Sequence, residues 1–245
     1  MEIHLSEIDR LRFGIVTAKA ELNGGDTVSN LLYSARRLGA MLLIVRVSTK
    51  YTALAQDLEA NSALLTDTLI YYKKDNVDNY EISLPDGYNH RLATHGDAER
   101  VGRLAQDAFA GYTGHYHADR RLARNDCDLV YSSWARESCI TKSIADDVLL
   151  ICKENEIAAF ATLKRMSDQV FDGVLYCVNP RHRSRGLHLV LMKLSQNWGI
   201  VNGIRTMITS TQITNTIAQR NWCRVGMEPS ESFYTFHIWL DHDPL

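Results

Sequence analysis

The chain has no apolar run approaching the roughly 18 residues that a membrane-spanning helix needs. Its opening Met1-Glu2-Ile3-His4 shows neither a basic n-region nor an apolar h-region. A cytoplasmic protein with no membrane partner is the expectation. Charge of one sign is not in excess either. Twenty-seven Lys and Arg stand against 29 Asp and Glu, a net charge of -2, which argues against a general polyanion-binding surface and leaves no nucleic-acid partner in view. Any phosphate recognition has to be local. Cysteines at CxxC spacing are missing, and the five present (127, 139, 152, 177, 223) suggest neither a disulfide framework nor a zinc cluster. Cys152 and Cys177 lie in apolar, strand-like runs where a small buried thiol is commonplace. Low-complexity tracts and short fixed-period repeats are lacking too.

What the 245 residues do have is a 45% apolar share, enough for one large domain or two modest ones. The first stretch alternates strand and helix patterns. A short strand over 13–18 precedes a helix carrying Val28, Leu31, Leu32, Ala35 and Leu38 up to Gly39. A strand over 41–47, a helix from about Tyr51 to Ala60 and a strand over 64–72 complete a β-α-β-α-β layer. The polar, turn-rich stretch from Lys73 to Tyr88 has no hydrophobic period, so the expected domains are 1–85 and 86–245. The pattern then restarts with a strand over 90–94, a helix capped by Asp97, and a second helix through Leu129, Val130, Trp134 and Ala135. Strands over 148–153, 157–165 and 173–178 follow, then a helix from Arg185, a strand over 204–210, a helix over 213–224 and a last strand over 233–240.

The segment from Tyr176 to His188 is the richest in chemistry, because a strand runs there into a basic, glycine-bearing loop that opens a helix. Such a junction turns unpaired backbone N–H groups and the positive end of the helix dipole toward an anion. Gly186 permits close approach of a phosphate, and Arg181, Arg183 and Arg185 add charge-assisted donors.

Arg183-x-x-Gly186-x-His188 resembles the R/Q-x-x-G-x-G/A signature of the GNAT acyltransferases, and it follows a strand and Val-x-Pro as in that family. Arg91-Leu92-Ala93-Thr94 with Asp97, Asn215-x-x-Ala218, and Gly226-Met227 resemble further motifs of that family. The resemblance implies an α/β GNAT fold with a splayed mixed sheet, preceded here by the smaller β-α-β-α-β domain. It also implies acyl-CoA as cosubstrate. The backbone of Arg183, Ser184, Arg185, Gly186, Leu187 and His188 would hold the pyrophosphate, Asn215 the cofactor arm, and the backbone at Cys177 and Val178 the oxyanion. Two positions depart from the pattern. His188 stands where a small residue is usual, and Trp222 stands where many relatives have a tyrosine acid, which an indole cannot replace. Tyr176 and Tyr234 are the candidate substitutes.

The small first domain, Arg12-Phe13-Gly14, Leu65-Thr66-Asp67-Thr68, Tyr131-x-x-Trp134 and Phe236-x-x-Trp239-Leu240 resemble TDP-fucosamine acetyltransferases and related nucleotide-sugar N-acyltransferases. The resemblance implies direct acyl transfer, acetyl or longer, to the amine of a dTDP-linked amino-6-deoxy sugar for a surface polysaccharide such as O-antigen. It puts the acceptor beside the segment 112–121, with His115, Tyr116, His117, Arg120 and Arg121 as contacts, and with Asp67 holding the sugar ammonium and helping to remove its proton. His115, His117 and Asp119 lack a third histidine or cysteine at ligand spacing, so no metal is expected. A peptide or protein amine as acceptor, or a non-catalytic acyl-CoA-binding module, are the alternatives, and a homodimer is compatible with all of them.

Overall fold

The computed structural model describes residues 1–240. In chain order it has β1 (Glu2–Leu5), α1 (Glu7–Phe13), β2 (Thr17–Leu22), α2 (Val28–Arg37), β3 (Leu42–Ser48), α3 (Thr52–Ala60) and β4 (Leu64–Lys74). Then come β5 (Tyr88–Leu92), α4 (Ala98–Ala108), α5 (His115–Ala118), α6 (Arg124–Asp128), α7 (Val130–Ser138), β6 (Asp147–Lys153) and β7 (Glu156–Arg165). The chain closes with β8 (Val170–Val178), α8 (Leu187–Val201), β9 (Thr206–Gln212), α9 (Thr216–Cys223) and β10 (Glu228–Trp239). Among the described residues no helix is long and apolar enough to cross a membrane.

The first of two units comprises Met1–Ile70, Thr113–Cys127 and the residues from Glu231 on. The apolar spacing of α2 buries Val28, Leu31 and Ala35 completely, and the Thr27 hydroxyl accepts the Asn30 N–H at its start. Beneath it β2 runs parallel to β3 with Ala18 opposite Leu43, while β3 pairs antiparallel with β10, Val45 opposite Phe236. The alternate residues Leu43, Val45 and Val47 join Leu58, Phe236 and Ile238 in one core. The strand expected over 13–18 begins instead at Thr17. Phe13 ends α1, because Gly14 takes a left-handed φ of 65° and its N–H bonds the Arg10 carbonyl.

The second unit comprises Tyr71–Tyr112 and Asp128–Ser230, so the division expected near residue 85 falls inside it. The turn-rich stretch lacks a hydrophobic period, yet side-chain amides of α8 anchor it. Gln196 accepts the Asp78 N–H at 3.0 Å, while Asn197 accepts the Tyr80 N–H at 2.7 Å and donates to the Tyr80 carbonyl at 2.8 Å. The strand order is β9-β8-β7-β6-β5. Antiparallel pairing joins β8 to β7, β7 to β6 and β6 to β5, whereas β8 and β9 run parallel and pair only over Val170–Asp172. Val101, Leu104 and Ala105 of α4 meet Ala135, Leu150, Phe160 and Cys177 in the core. Asp97 does not cap α4 with its own side chain. Thr94 opens the turn instead, and the Asp97 carboxylate accepts the Thr94 N–H and hydroxyl while receiving both arms of Arg91 at 2.7 Å each. A bidentate guanidinium outcompetes the local cap.

Candidate functional site

At the β8–α8 junction, Asn179 caps a short turn by accepting the Arg181 N–H at 3.0 Å. His182, buried in that turn, is clamped between the Tyr88 hydroxyl at 2.7 Å and Glu156 Oε2 at 3.1 Å. Arg183 donates to the Ala108 carbonyl at 3.1 Å. Ser184 and Gly186 both hold positive φ, 61° and 76°, which turns the chain into α8 without any side-chain cap. The first N–H groups of α8 therefore have no capping side chain, and Arg183, Ser184, Arg185 and Gly186 are exposed around them while Leu187 anchors the helix in the core. A Cβ built on Gly186 would meet nothing within 4 Å. This open, cationic, donor-rich cradle fits an approaching pyrophosphate. His188 does not add a charged donor to it. Burial lowers its pKa to about 4, its Nδ1 has no partner among the described residues, and its ring lies 5.5 Å from that of Tyr176.

Beyond Asp172, β8 diverges from β9, and on that side the backbone toward Cys177 and Val178 has no ladder partner in β9. The Cys177 side chain faces the core, where burial pushes its thiol pKa up. Tyr176 donates to Ser195 Oγ at 2.9 Å, Ser195 donates to the Leu191 carbonyl at 2.8 Å, and burial raises the phenol. Its proton is engaged in the hydrogen bond to Ser195. The Asn215 side chain caps α9 by accepting the Ala218 N–H at 3.3 Å and donates to Thr211 Oγ1 at 3.0 Å, which leaves one amide N–H and one lone pair for a ligand. Trp222 is buried edge-on to Tyr72 at 5.3 Å, and its Nε1 has no partner among the described residues.

The acceptor candidates lie in the first unit, as do Asp67 and Tyr234. The half-buried Asp67 accepts the Thr68 N–H at 2.7 Å, and Tyr234 pairs with Val47 and packs on the core. The segment 112–121 contains the short helix α5. Tyr116 is buried and donates to Asp9 Oδ1 at 2.8 Å. Asp9 is itself fully buried and bound by Ser6 at 2.6 Å and Lys19 at 2.6 Å, so the Tyr116 hydroxyl supports the fold. His117 Nδ1 accepts the Gly114 N–H at 3.1 Å. Arg120 is exposed, and the Arg121 guanidinium stacks 3.8 Å over the Trp239 ring. His115 Nδ1 lies 2.9 Å from His237 Nε2, and His237 Nδ1 lies 2.8 Å from Asp119 Oδ2. Asp119 also accepts the Trp239 indole N–H at 2.9 Å and the Arg121 N–H at 3.0 Å. His182 and His237 carry no sequence motif. The aromatic ending around Trp239 was the nearest signal to this cluster. Among the described residues no group of three or more His, Cys, Asp or Glu is arranged to hold a metal.

The profile of the Acetyltransferase (GNAT) family matches residues 104–227. The spore coat polysaccharide biosynthesis protein SpsD of Bacillus subtilis (strain 168) is 25% identical over 146 residues, covering 59% of this chain. The chain spans about half, 48%, of that relative's length. A GCN5-related N-acetyltransferase from Sphaerobacter thermophilus superposes with a TM-score of 0.67 at 12% identity, over 97% of this chain and 76% of the other. A tandem GNAT protein from the clavulanic acid biosynthesis pathway gives a TM-score of 0.64 at 13% identity, over 93% and 76%. At such identities the structural likeness is one of fold.

Proposed function

As the chain belongs to the GNAT acetyltransferase family, we propose that it moves an acyl group from acyl-CoA to the amine of a dTDP-linked amino-6-deoxy sugar. Its α/β fold with a mixed, unclosed sheet is that of the family. The acyl group is acetyl or a longer one such as 3-hydroxybutyryl, the protein acts in the cytoplasm, and the product serves surface polysaccharide biosynthesis. The observation that carries this reading is the uncapped start of α8, opened by Gly186 at φ 76°, next to the β8 edge that β9 leaves unpaired. The similarity to a coat-polysaccharide protein supports a sugar acceptor.

In this reading the backbone from Arg183 to His188 holds the pyrophosphate and Asn215 the cofactor arm. Backbone N–H groups at Cys177 and Val178 stabilise the oxyanion as the neutral amine attacks the thioester carbonyl. His115, Arg120 and Arg121 contact the nucleotide-sugar, and Asp67 holds its ammonium. A thiol with a pKa near ~8.5 is a fair leaving group, so the departing thiolate needs no phenol from Tyr176 or Tyr234. Free-thiol release from acetyl-CoA tests the proposal across a panel of dTDP-3-amino-3,6-dideoxyhexose, dTDP-4-amino-4,6-dideoxyhexose and an N-terminal peptide amine. Turnover confined to a nucleotide-sugar is expected, and turnover confined to the peptide would replace it with a protein acceptor.

A further inference from the structure

His115, His237 and Asp119 form one line of hydrogen bonds inside the first unit. Burial alone would raise the Asp119 carboxyl, but hydrogen bonds from the His237 ring, the Arg121 N–H and the Trp239 indole bring it below its ordinary range. An ionised carboxylate only accepts, so His237 carries its proton on Nδ1. In a neutral His237 ring Nε2 is then a lone pair, and Nδ1 of His115, 2.9 Å away, is the donor. That leaves Nε2 of His115, on a half-buried residue, as a bare acceptor with no hydrogen-bond partner among the described residues.

Resting on the amine-acylating reading above, we propose that His115 is the general base for the acceptor amine, with His237 and Asp119 as the positioning residues behind it. An N–H bond of the bound ammonium breaks, and its proton goes to Nε2 of His115. The Nδ1 proton of His115 passes to Nε2 of His237, and the amine keeps the electron pair with which it attacks. His237 becomes an imidazolium held by Asp119, and the proton later leaves by the reverse path.

The surroundings explain why a relay is needed. Burial, His237, Arg46 on β3, Lys19 on β2 and His117 all disfavour a positive charge on His115, holding its pKa well below the ordinary value. A lone imidazole there would be a weak base. Moving the charge one ring inward pairs it with a carboxylate, as a buried aspartate does for the imidazolium of a hydrolase triad.

Two measurements on the full chain test this. Nitrogen-15 correlation spectra of the histidine rings at pH 7 are expected to show both His115 and His237 protonated on Nδ1, with Asp119→Asn disturbing the His237 resonance. A proton on Nε2 of His115 would overturn the relay whatever the activity. With dTDP-4-amino-4,6-dideoxyhexose and acetyl-CoA, His115→Ala and Asp119→Asn should each lower kcat/KM about 100-fold at pH 7. That loss should shrink as pH rises past the pKa of the amine, which is then neutral without help. A loss of the same size at every pH marks a structural role and contradicts the proposal. If no amine in the panel is acylated while the ring protons stand as expected, the proposed function fails and the hydrogen-bond line does not.

Discussion

Gly186 holds a φ of 76° at the mouth of α8, a conformation that costs an L-residue roughly 1–2 kcal/mol and a β-branched one more. Gly186→Val should therefore distort the cradle while the core beneath it, anchored by the buried Leu187, persists. Calorimetric titration with CoA is expected to show affinity reduced at least tenfold in a variant whose circular dichroism is unchanged. Asp97 makes a second residue-scale case. The hydrogen bonds from Arg91 hold its carboxyl well below the ordinary range, against burial, with Thr94 assisting. A carboxylate with a depressed folded pKa contributes stability above its unfolded pKa near ~3.9, and that contribution is lost as pH falls toward the folded value. Asp97→Asn should cost about 2–3 kcal/mol at pH 7 and flatten the loss of stability on acidification, as thermal melts from pH 7 to pH 3 would report. The glycine-bearing turn into α8 was legible because its residues are consecutive. His115 and His237 are distant in sequence, and nothing local in either segment marks the contact.

At the scale of elements, the apolar periods of α2, α4 and α8 and the β-branched run of β3 announce themselves in the sequence, and each appears within a few residues of its expected bounds. Elements without a period of their own, β1, α1 and α5, did not announce themselves. Each is short, and tertiary partners hold it: β1 by pairing with β2, α5 through Tyr116 on Asp9. The parting of β8 from β9 was expected only by resemblance, since no local pattern distinguishes a paired strand from a splayed one. The contact that seats α8 at the root of that parting is tight. A Cβ on Gly199 would stand 3.1 Å from the Ile204 carbonyl and run into the Phe171 ring. Gly199→Ala should then destabilise the protein by about 1–3 kcal/mol through overpacking, read as a lower denaturation midpoint at unchanged m-value.

At the scale of the whole molecule, the first unit is assembled from three separate stretches of chain, 1–70, 113–127 and 231 onward. A reading along the sequence sees only the first of these as a unit, because the others are recruited by long-range pairing such as β3 with β10. The turn-rich stretch after β4 looks like a linker for the same reason, since the amides of Gln196 and Asn197 that hold it lie on a distant helix. The family match over residues 104–227 takes in the 113–127 stretch of the first unit but neither 1–70 nor the residues from 231 on. The most direct test is fragmentation mass spectrometry of the product formed from acetyl-CoA and dTDP-4-amino-4,6-dideoxyhexose. The account predicts one acetyl group on the sugar nitrogen, with the nucleotide intact and CoA released in equal amount. An unmodified sugar in the presence of a CoA-saturated, folded protein would contradict it.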